Sequence, residues 1–402
     1  MTVSQVSPKH PAAVITSPQQ AVSVARELAD AIRSGSAVRD RDRILPLREL
    51  EQFFASGLGG ITVPKSFGGA GVPTATLAEV TSIISEADSA IGQVPQNHYY
   101  ALEVLRVNGS PQQQQRLYAE VLAGVHLGNA LAEFSSPAAH QRSTSILPQG
   151  DHYRLQGRKF YATGALFADR IPTAARDENG NDQLVFVPRH QSGVTVIDDW
   201  SGFGQRTTGS GTVVFEQVLI GGEDIVPFSS AFERPTTVGP FAQIIHAAIG
   251  QGIARAAFND MLGFIRQQAR PWPDSGLERA ADDPLTLDRI GLLAARLQGG
   301  DALLSTAGLA VDAAQADPDA GSVAEASLQV AAARAWTTEV SLQAGNLLFE
   351  LSGTRSALRE HNLDRHWRNA RTHTLHDPVR WKYPIIGNYL LNGVLPPRRG
   401  TI

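Results

Sequence analysis

The sequence predicts an α+β protein with three consecutive parts: an N-terminal all-α domain, a small central β-barrel or sandwich, and a C-terminal four-helix bundle. Helical apolar spacing fills roughly the first 125 residues, short β-branched runs follow, and long Ala- and Leu-rich helical patterns occupy the rest. With 402 residues, 42% of them hydrophobic, the chain can bury the cores of several domains. We place a flexible arm and the three domains at residues 1–17, 18–125, 126–230 and 231–402.

The all-α part is predicted from periodicity and from its proline and glycine residues. A first helix starts at Pro18 and stops before Gly35, and Pro46 stands at the first turn of a second helix. Two glycine clusters, 57–60 and 68–71, predict tight turns where backbone passes close to backbone. They lack the GxxxxGK[ST] pattern of a phosphate loop. Further helices are expected at about 74–90, 98–107 and 111–123.

The middle of the chain reads as β structure and the remainder as long helices. The run from Tyr153 to Gly164 predicts a hairpin with its turn around Gly157, and three short runs predict strands. These runs are 184–187, 194–197 and 212–218. Helical patterns at about 239–269, 284–316 and 321–352 are of the length found in helical bundles that also pack against other subunits.

Composition excludes several classes of protein. The absence of cysteine rules out disulfides, thiolate nucleophiles and cysteine metal sites, and it is typical of cytoplasmic proteins. A net charge of −4 without a basic face argues against nucleic-acid binding. The N-terminal residues lack the basic segment followed by an apolar run that would predict a signal peptide. No apolar stretch in the sequence is long enough to span a membrane.

The segment 365–378 concentrates the chemistry of the chain, with three histidines, three arginines, an aspartate and a tryptophan in fourteen residues. On a helix, His366 and His373 would lie two turns apart on one face, and His376 would extend that face. Neutral imidazoles exchange protons near neutral pH. The alternatives are a solvated helix end and a metal site built from the three histidines, which lacks an obvious carboxylate ligand.

Several motifs resemble a known family. The order of domains, the run Gly202–Thr212 and the run Lys159–Gly164 together resemble the acyl-CoA dehydrogenase fold. The runs Gln96–Glu103 and Trp367–Pro378 are similar to bacterial sulfur-acquisition oxidoreductases, which resemble the flavin-dependent monooxygenases that oxidise dibenzothiophene. The resemblance covers nearly the whole chain and implies an acyl-CoA dehydrogenase-like fold.

The chain departs from the dehydrogenases at their catalytic base. The resemblance places the usual glutamate within 372–377, which holds none, and the alternative base position at Ala242. No carboxylate is therefore evident for abstracting a proton next to a thioester. The loop that usually contacts flavin and acyl-CoA is also altered, at Glu133–Ala138.

Histidines in place of a carboxylate suit the oxygen chemistry of a reduced flavin. Imidazoles with a pKa near neutrality can hold or supply the proton where O2 reacts with the flavin. A dry pocket limits the loss of the activated oxygen as hydrogen peroxide. The resemblance implies His98, His373 and His376 as the catalytic residues. The alternative for each is a core histidine satisfied by backbone carbonyls.

The resemblance also implies residues that bind the cofactor. Asn129 and Thr163 would bind the edge of the flavin ring, and Trp200 would cover its face. Arg270 and Arg355, beside Gly353, match phosphate-binding positions that in these families reach the flavin of a neighbouring subunit. Because Thr354 and Arg355 replace the adenine-binding glycines of the dehydrogenases, FMN is favoured, with FAD as the alternative.

The leading hypothesis is the oxygenating component of a two-component monooxygenase, acting on a small organosulfur compound with O2. Reduced FMN would come from a separate NAD(P)H-dependent flavin reductase, since the sequence shows no nicotinamide-binding βαβ unit. A homotetramer is expected. The alternatives are an FAD-dependent acyl-CoA dehydrogenase-like oxidoreductase with an unusual base and a flavin-binding protein without catalysis.

Overall fold

The computed structural model describes residue 6, residues 11–133 and residues 143–401. The first helix begins where the sequence predicts, because the Ser17 side chain accepts the backbone N–H of Gln20 and Pro18 occupies the first turn. The second helix is short and charged and was not predicted. The N-terminal domain contains α1 (Pro18–Arg33), α2 (Ser36–Asp42), α3 (Leu47–Ala55), α4 (Thr74–Ala87), α5 (Ser89–Gln93), α6 (Gln96–Asn108) and α7 (Pro111–Leu122).

The prediction of a flexible arm is wrong for residues 11–17. The backbone N–H of Ala13 donates to the carbonyl of Ala55 at 2.8 Å, and Ile15 is buried in the core of the helical domain. Gly57 allows this approach, since a Cβ atom there would lie 2.2 Å from the carbonyl oxygen of Ala13. Apart from residue 6, residues 1–10 lie outside the described part.

The two glycine clusters form the predicted tight turns. A Cβ atom on Gly69 would lie 2.1 Å from the carbonyl oxygen of Val63, so only glycine lets the two backbones pass. Gly59 lies against the side chain of His98, whose ring nitrogen binds the Gly59 carbonyl. The first cluster therefore also fixes one of the predicted catalytic histidines.

The central β domain is a single seven-stranded sheet in the order β5-β6-β2-β1-β3-β4-β7. Among the described strands only β1 and β3 pair in parallel, and no pairing joins β5 to β7. The β domain is thus confirmed, but as an open sheet and not as a closed barrel. Its strands are β1 (Ser145–Gln149), β2 (His152–Lys159), β3 (Arg170–Arg176), β4 (Asp182–Pro188), β5 (Val194–Ile197), β6 (Thr212–Ile220) and β7 (Ile225–Pro227).

The predicted hairpin turn at Gly157 is wrong. Gly157 lies inside β2, where the register with β6 shifts between Leu155 and Gly157. A Cβ atom on Gly157 would lie 2.5 Å from the side-chain oxygen of Thr144, so this glycine serves a bulge that another segment closely approaches. The hairpin turn is at 150–151 instead, between β1 and β2.

Three long helices carry the C-terminal part: α9, α10 and α11. Helices α9 and α11 run parallel, since Arg334 lies at the backbone of His246 and Thr337 lies at Gly250. Helix α4 packs along both α9 and α10, so the fourth long member of the bundle comes from the N-terminal domain. The helices are α8 (Ser230–Glu233), α9 (Val238–Gln267), α10 (Pro284–Ala316), α11 (Ala320–Ser352), α12 (Asp364–His373) and α13 (Lys382–Asn392).

This packing merges two of the predicted domains into one apolar core. The core contains Leu77 and Ile84 of α4 together with Ile245 of α9 and Val330 of α11. Within the part of the chain described here, no helix is both long and apolar enough to cross a membrane.

Candidate active site

The three parts of the chain meet at the turn Thr163-Gly164. Gly164 has a φ of +79°, and a Cβ atom there would lie 3.1 Å from a methyl carbon of Val94 and 3.6 Å from Nε2 of His126. The turn of the β domain is therefore seated on the segment between α5 and α6. The adjacent Gln93 binds His373 of the bundle, so residues from all three parts converge here.

Asn129, Thr163 and Trp200 are brought together around this turn. The amide of Asn129 donates to the carbonyl of Tyr161 at 3.1 Å, and the rings of Tyr161 and Trp200 lie 6.1 Å apart. The hydroxyl of Thr163 lies 2.7 Å from that of Ser210. An amide, a hydroxyl pair and two aromatic rings thus occupy one face of the β domain.

Gln205 belongs to the same network and was not predicted as a site residue. Its backbone carbonyl accepts hydrogen bonds from the indole of Trp200 and the hydroxyl of Thr208, which reaches Ser210 at 2.7 Å. Its side-chain amide is buried, and neither amide atom has a hydrogen-bond partner among the described residues. A buried amide with both polar atoms unpaired favours a ligand with donors and acceptors.

The loop that carries Gln205 lies directly on α12. The side chain of Asn369 accepts the backbone N–H of Gln205 at 2.7 Å. A Cβ atom on Gly204 would lie 2.0 Å from the carbonyl oxygen of Arg368, so glycine is required for this approach. The quoted Gly202–Thr212 run therefore joins the β domain to the histidine-rich segment.

His98 lies in α6, fully buried, with both ring nitrogens engaged. Nε2 donates to the carbonyl of Gly59 at 2.8 Å, and Nδ1 accepts the backbone N–H of Leu127 at 3.1 Å. Burial lowers its pKa to about 4, which keeps the ring neutral. These are the contacts of the alternative interpretation, a core histidine satisfied by the backbone.

His373 is also buried with both nitrogens engaged. Nδ1 lies 2.7 Å from the side-chain oxygen of Gln93. Nε2 lies 2.8 Å from the carbonyl of His246 and 3.2 Å from a guanidinium nitrogen of Arg334. Burial and the charge of Arg334 lower the pKa of His373, so the ring is neutral. The geometry favours a role in fixing α12 against α9 and α11.

His376 is the predicted histidine that remains accessible. Its side chain is 44% exposed, and it makes no hydrogen bond within the described residues. Its ring lies 4.0 Å, centroid to centroid, from the ring of His246 on α9. His246 was not predicted as a site residue, although it stands one turn beyond Ala242, where the dehydrogenase resemblance placed a base.

A group of buried charged side chains lies next to His376. Asp377 lies 3.0 Å from the ammonium of Lys382 and 3.6 Å from the guanidinium of Arg334, and all three side chains are almost fully buried. Burial alone would raise the pKa of Asp377, but His376 and the two cations outweigh it and lower the pKa. Asp377 is therefore a fixed anion and not a base.

Lys382 also binds the end of the described chain. Its ammonium donates to the carbonyl of Thr401 at 2.7 Å, and the amide of Gln243 donates to the carbonyl of Gly400 at 2.9 Å. Gln243 accepts a further hydrogen bond from Lys382. Residues 399–401 are thereby tied to the α9 turn that precedes His246.

Arg270, Gly353 and Arg355 lie at the other end of the bundle. Arg270 follows α9 and Gly353 follows α11, and these parallel helices end at the same side. Gly353 has a φ of +72°, which favours glycine. Both arginines are exposed, and neither guanidinium group has a hydrogen bond or ion pair among the residues described. The distance along α9 from His246 to the end of the helix is about 32 Å, at 1.5 Å per residue. The histidines near His246 and the two arginines of the same chain are therefore too far apart to contact one flavin.

His366 lies apart from the cluster, buried against the C-terminal third of α9 with Nε2 2.8 Å from a carboxylate oxygen of Asp260. His366 and His373 are both buried, so the interpretation of the segment as a solvated helix end is wrong. Over residues 11–133 and 143–401, no group of His, Asp and Glu side chains has the arrangement of a metal site. Most of the predicted contact loop Glu133–Ala138 lies outside the described residues.

Comparisons with known proteins agree with this architecture. Residues 19–125 match the acyl-CoA dehydrogenase N-terminal domain, and residues 244–381 match the acyl-CoA dehydrogenase C-terminal domain. Dibenzothiophene monooxygenase of Rhodococcus qingshengii is 32% identical over 395 residues, covering 93% of this chain and 94% of that protein. The probable FMNH2-dependent monooxygenase SfnC of Pseudomonas putida is 29% identical, covering 96% and 98%.

A solved structure gives the same result. FMN-bound TdsC from Paenibacillus sp. A11-2 superposes with a TM-score of 0.91 at 30% identity, covering 95% of this chain and 100% of that chain. The predicted fold is confirmed. The chain belongs to the acyl-CoA dehydrogenase-fold family of flavin-dependent monooxygenases that includes dibenzothiophene monooxygenase.

Proposed function

We propose that this protein uses reduced FMN and O2 to oxygenate a small organosulfur compound such as a thioether, sulfoxide, sulfone or sulfonate. The named relatives act on dibenzothiophene or depend on FMNH2, and this chain covers more than nine-tenths of their length. A separate NAD(P)H-dependent flavin reductase supplies the cofactor. Among the described strands, the single parallel pair has no helix between its members that would make a nicotinamide-binding unit.

The residues of the junction fit a flavin. The unpaired amide of Gln205 and the amide of Asn129 offer donors and acceptors for the pyrimidine edge of the ring. Thr163 and Ser210 provide hydroxyls, and Trp200 provides an aromatic face. When bound, reduced FMN supplies the electrons that activate O2.

One observation carries the proposal: the junction offers neutral imidazoles where a dehydrogenase needs a free carboxylate. The carboxylate beside His376 is Asp377, which is held by Arg334 and Lys382. Ala242 cannot act as a base. A proton next to a thioester therefore has no acceptor here, whereas His376 can hold a proton beside reacting oxygen.

Each part of the chain has a separate task in this proposal. His376, whose ring is accessible and has no hydrogen bond in the described residues, is the group that holds or moves the proton. His98 and His373 keep the surrounding helices in place, and the packed core beneath them excludes water. Asp377 with its two cations fixes the turn that carries His376.

Assembly completes the cofactor site in this proposal. Arg270 and Arg355 bind the phosphate of a flavin whose ring lies in a neighbouring subunit, which accounts for two exposed guanidinium groups without partners. The exposed apolar side chains of α13, Leu390 and Leu391, supply a surface for such contact, and a homotetramer is expected. We place the protein in the cytoplasm, where reduced cofactor is regenerated.

The test combines isotope labelling with flavin titration. Under 18O2, with a flavin reductase and NAD(P)H, a panel of thioethers, sulfoxides, sulfones and sulfonates should yield one product carrying a single 18O atom. Anaerobic titration should show tighter binding of reduced FMN than of oxidised FMN or FAD. Unlabelled product, or tightly bound FAD with turnover of an acyl-CoA, would overturn the proposal.

A further inference from the structure

His246 differs from the other buried histidines of the site. It is 1% exposed, yet its ring makes no hydrogen bond within residues 11–133 and 143–401. His98 and His373, which are equally buried, have both nitrogens engaged. Buried polar groups are almost always bonded, and an apolar side chain of similar size would avoid the cost of an unbonded one. The Nδ1 atom of His246 is therefore a buried hydrogen-bonding group whose requirement is not met by the described residues.

The neighbouring ring is that of His376. The two ring centroids are 4.0 Å apart with a tilt of 37°, and neither ring has a hydrogen bond in the described part of the chain. His373 is farther from His246, at 5.3 Å, and its nitrogens are already in use. The two rings are in face-to-face contact here, and a shift of the half-exposed His376 ring to an edge-to-edge arrangement would bring one of its nitrogens to a nitrogen of His246.

Asp377 is a weaker candidate for orienting His376. Its oxygen lies 3.5 Å from Nδ1 of His376, beyond a good hydrogen bond, and its charge is taken up by Arg334 and Lys382. The positive groups facing His246 are Arg334 from α11 and Lys382 from α13. Burial, the neighbouring imidazoles and these two cations lower the pKa of His246. Its ring therefore stays neutral and able to accept a hydrogen bond.

We propose that His246 is a positioning residue for His376. A nitrogen of His246 accepts the N–H of one His376 nitrogen, which fixes the tautomer and leaves the other His376 nitrogen directed to the reaction site. The hydrogen bond uses the N–H that His376 already carries, and no covalent bond changes. This inference rests on the proposed function for its purpose, but the contact itself does not require flavin or substrate.

Two substitutions distinguish the effect of the His246 nitrogens from the effect of the packing of its ring. His246→Phe keeps the ring and its stacking but removes both nitrogens. His246→Asn keeps an amide near the position of Nδ1. Because the unbonded group is removed, His246→Phe should fold with a melting temperature equal to or above that of the wild type.

The first measurement is 15N NMR of histidine-labelled protein without flavin, with the His376 signal identified by its absence in His376→Gln. The tautomer balance of His376 should change in His246→Phe and stay near the wild type in His246→Asn. His190→Phe, at an exposed turn residue after β4, is the matched control and should leave the signal unchanged. An identical His376 signal in the wild type and His246→Phe would overturn the proposal.

The second measurement is the yield of product per reduced FMN consumed. His246→Phe should lose about 10-fold with more hydrogen peroxide released, as is typical when the partner of a reacting group is removed, while its flavin affinity stays unchanged. His246→Asn should recover most of the yield. Equal defects in the two variants would show that the nitrogen is not what matters. If the wild type oxygenates no organosulfur compound but the tautomer shift is present, the proposed function fails and the positioning role remains.

Discussion

His98 and His376 differ in whether their ring nitrogens have hydrogen-bond partners, and the same difference divides other polar groups of this molecule. Both ring nitrogens of His98 are bonded to the backbone of Gly59 and Leu127, whereas the imidazole rings of His376 and its neighbour His246 make no hydrogen bond within the described chain. The same division separates Arg279, paired with Asp282, from Arg270, which has no partner there. Groups satisfied inside the chain contribute to stability, while groups left without partners are available for ligands.

The largest expected effect tests the unbonded side of this division. His376→Ala should bind reduced FMN normally, because the ring and phosphate contacts are elsewhere, but form product ~10²–10⁴-fold more slowly. The electrons should go to hydrogen peroxide instead. Product and peroxide are quantified per reduced FMN, with the melting temperature as the control. Wild-type coupling in the variant would make His376 a structural residue.

The bonded side is tested by His98→Ala. Removing this ring leaves the carbonyl of Gly59 and the N–H of Leu127 buried without partners, at about 1–3 kcal/mol each. The free energy of unfolding should therefore fall by roughly 2–6 kcal/mol in chemical denaturation. Activity per folded molecule, measured well below the melting temperature, should remain. A variant that keeps its stability but forms less product per reduced FMN would instead show that His98 has a catalytic role.

Arg270→Ala sharpens the comparison for the phosphate group. Loss of one charge-assisted contact typically costs ~1.5–3 kcal/mol, or roughly ten- to a hundredfold in affinity for reduced FMN. Arg279→Ala is the matched control, because that arginine is already paired on the surface. Isothermal titration under anaerobic conditions measures both. An unchanged dissociation constant for Arg270→Ala would remove it from the cofactor site.

The effect that is smallest at any single step of pH concerns acid stability. Burial lowers the pKa of His98 to about 4, so the unfolded chain, with an ordinary value of 6.5, binds this proton first. The stability from neutral His98 is complete above pH 6.5 and is lost as the pH falls toward 4, by at most about 1.4 kcal/mol per pH unit. His98→Gln should flatten the dependence over this window. Denaturation curves at several pH values measure the slope, and an unchanged slope would contradict the prediction.

Much of the fold could be predicted from local patterns. Helix α1, helix α3 after Pro46 and the three long helices of the bundle lie where the sequence predicts them, because periodicity and caps are local signals. Gly157 was misread, since a glycine that serves a bulge and one that serves a turn look alike until the approaching Thr144 is known. The sharing of α4 with the bundle also depends on packing that the sequence does not display.

The candidate site was predictable where the family resemblance supplied positions, and less so where burial decides the role. His376 kept the accessibility that its assignment needs, and Asn129, Thr163 and Trp200 lie together. The bonds that occupy His98 and His373 come from distant segments. His246 and Gln205 were missed because an unbonded buried group is visible only once every neighbour is placed. A histidine one turn after Ala242 was the available signal for His246.

The length of α9 has a genetic consequence. His246 lies in the first third of α9 and Arg270 lies just beyond its last residue. In the proposed assembly, a single chain therefore contributes its proton-handling residues to one active site and its phosphate-binding residues to another. Under the proposed assignment, a chain with a damaged His376 and a chain with a damaged Arg270 are complementary. Mixed assemblies of the two would contain some sites with both groups intact, so two inactive alleles expressed together would restore activity that neither has alone.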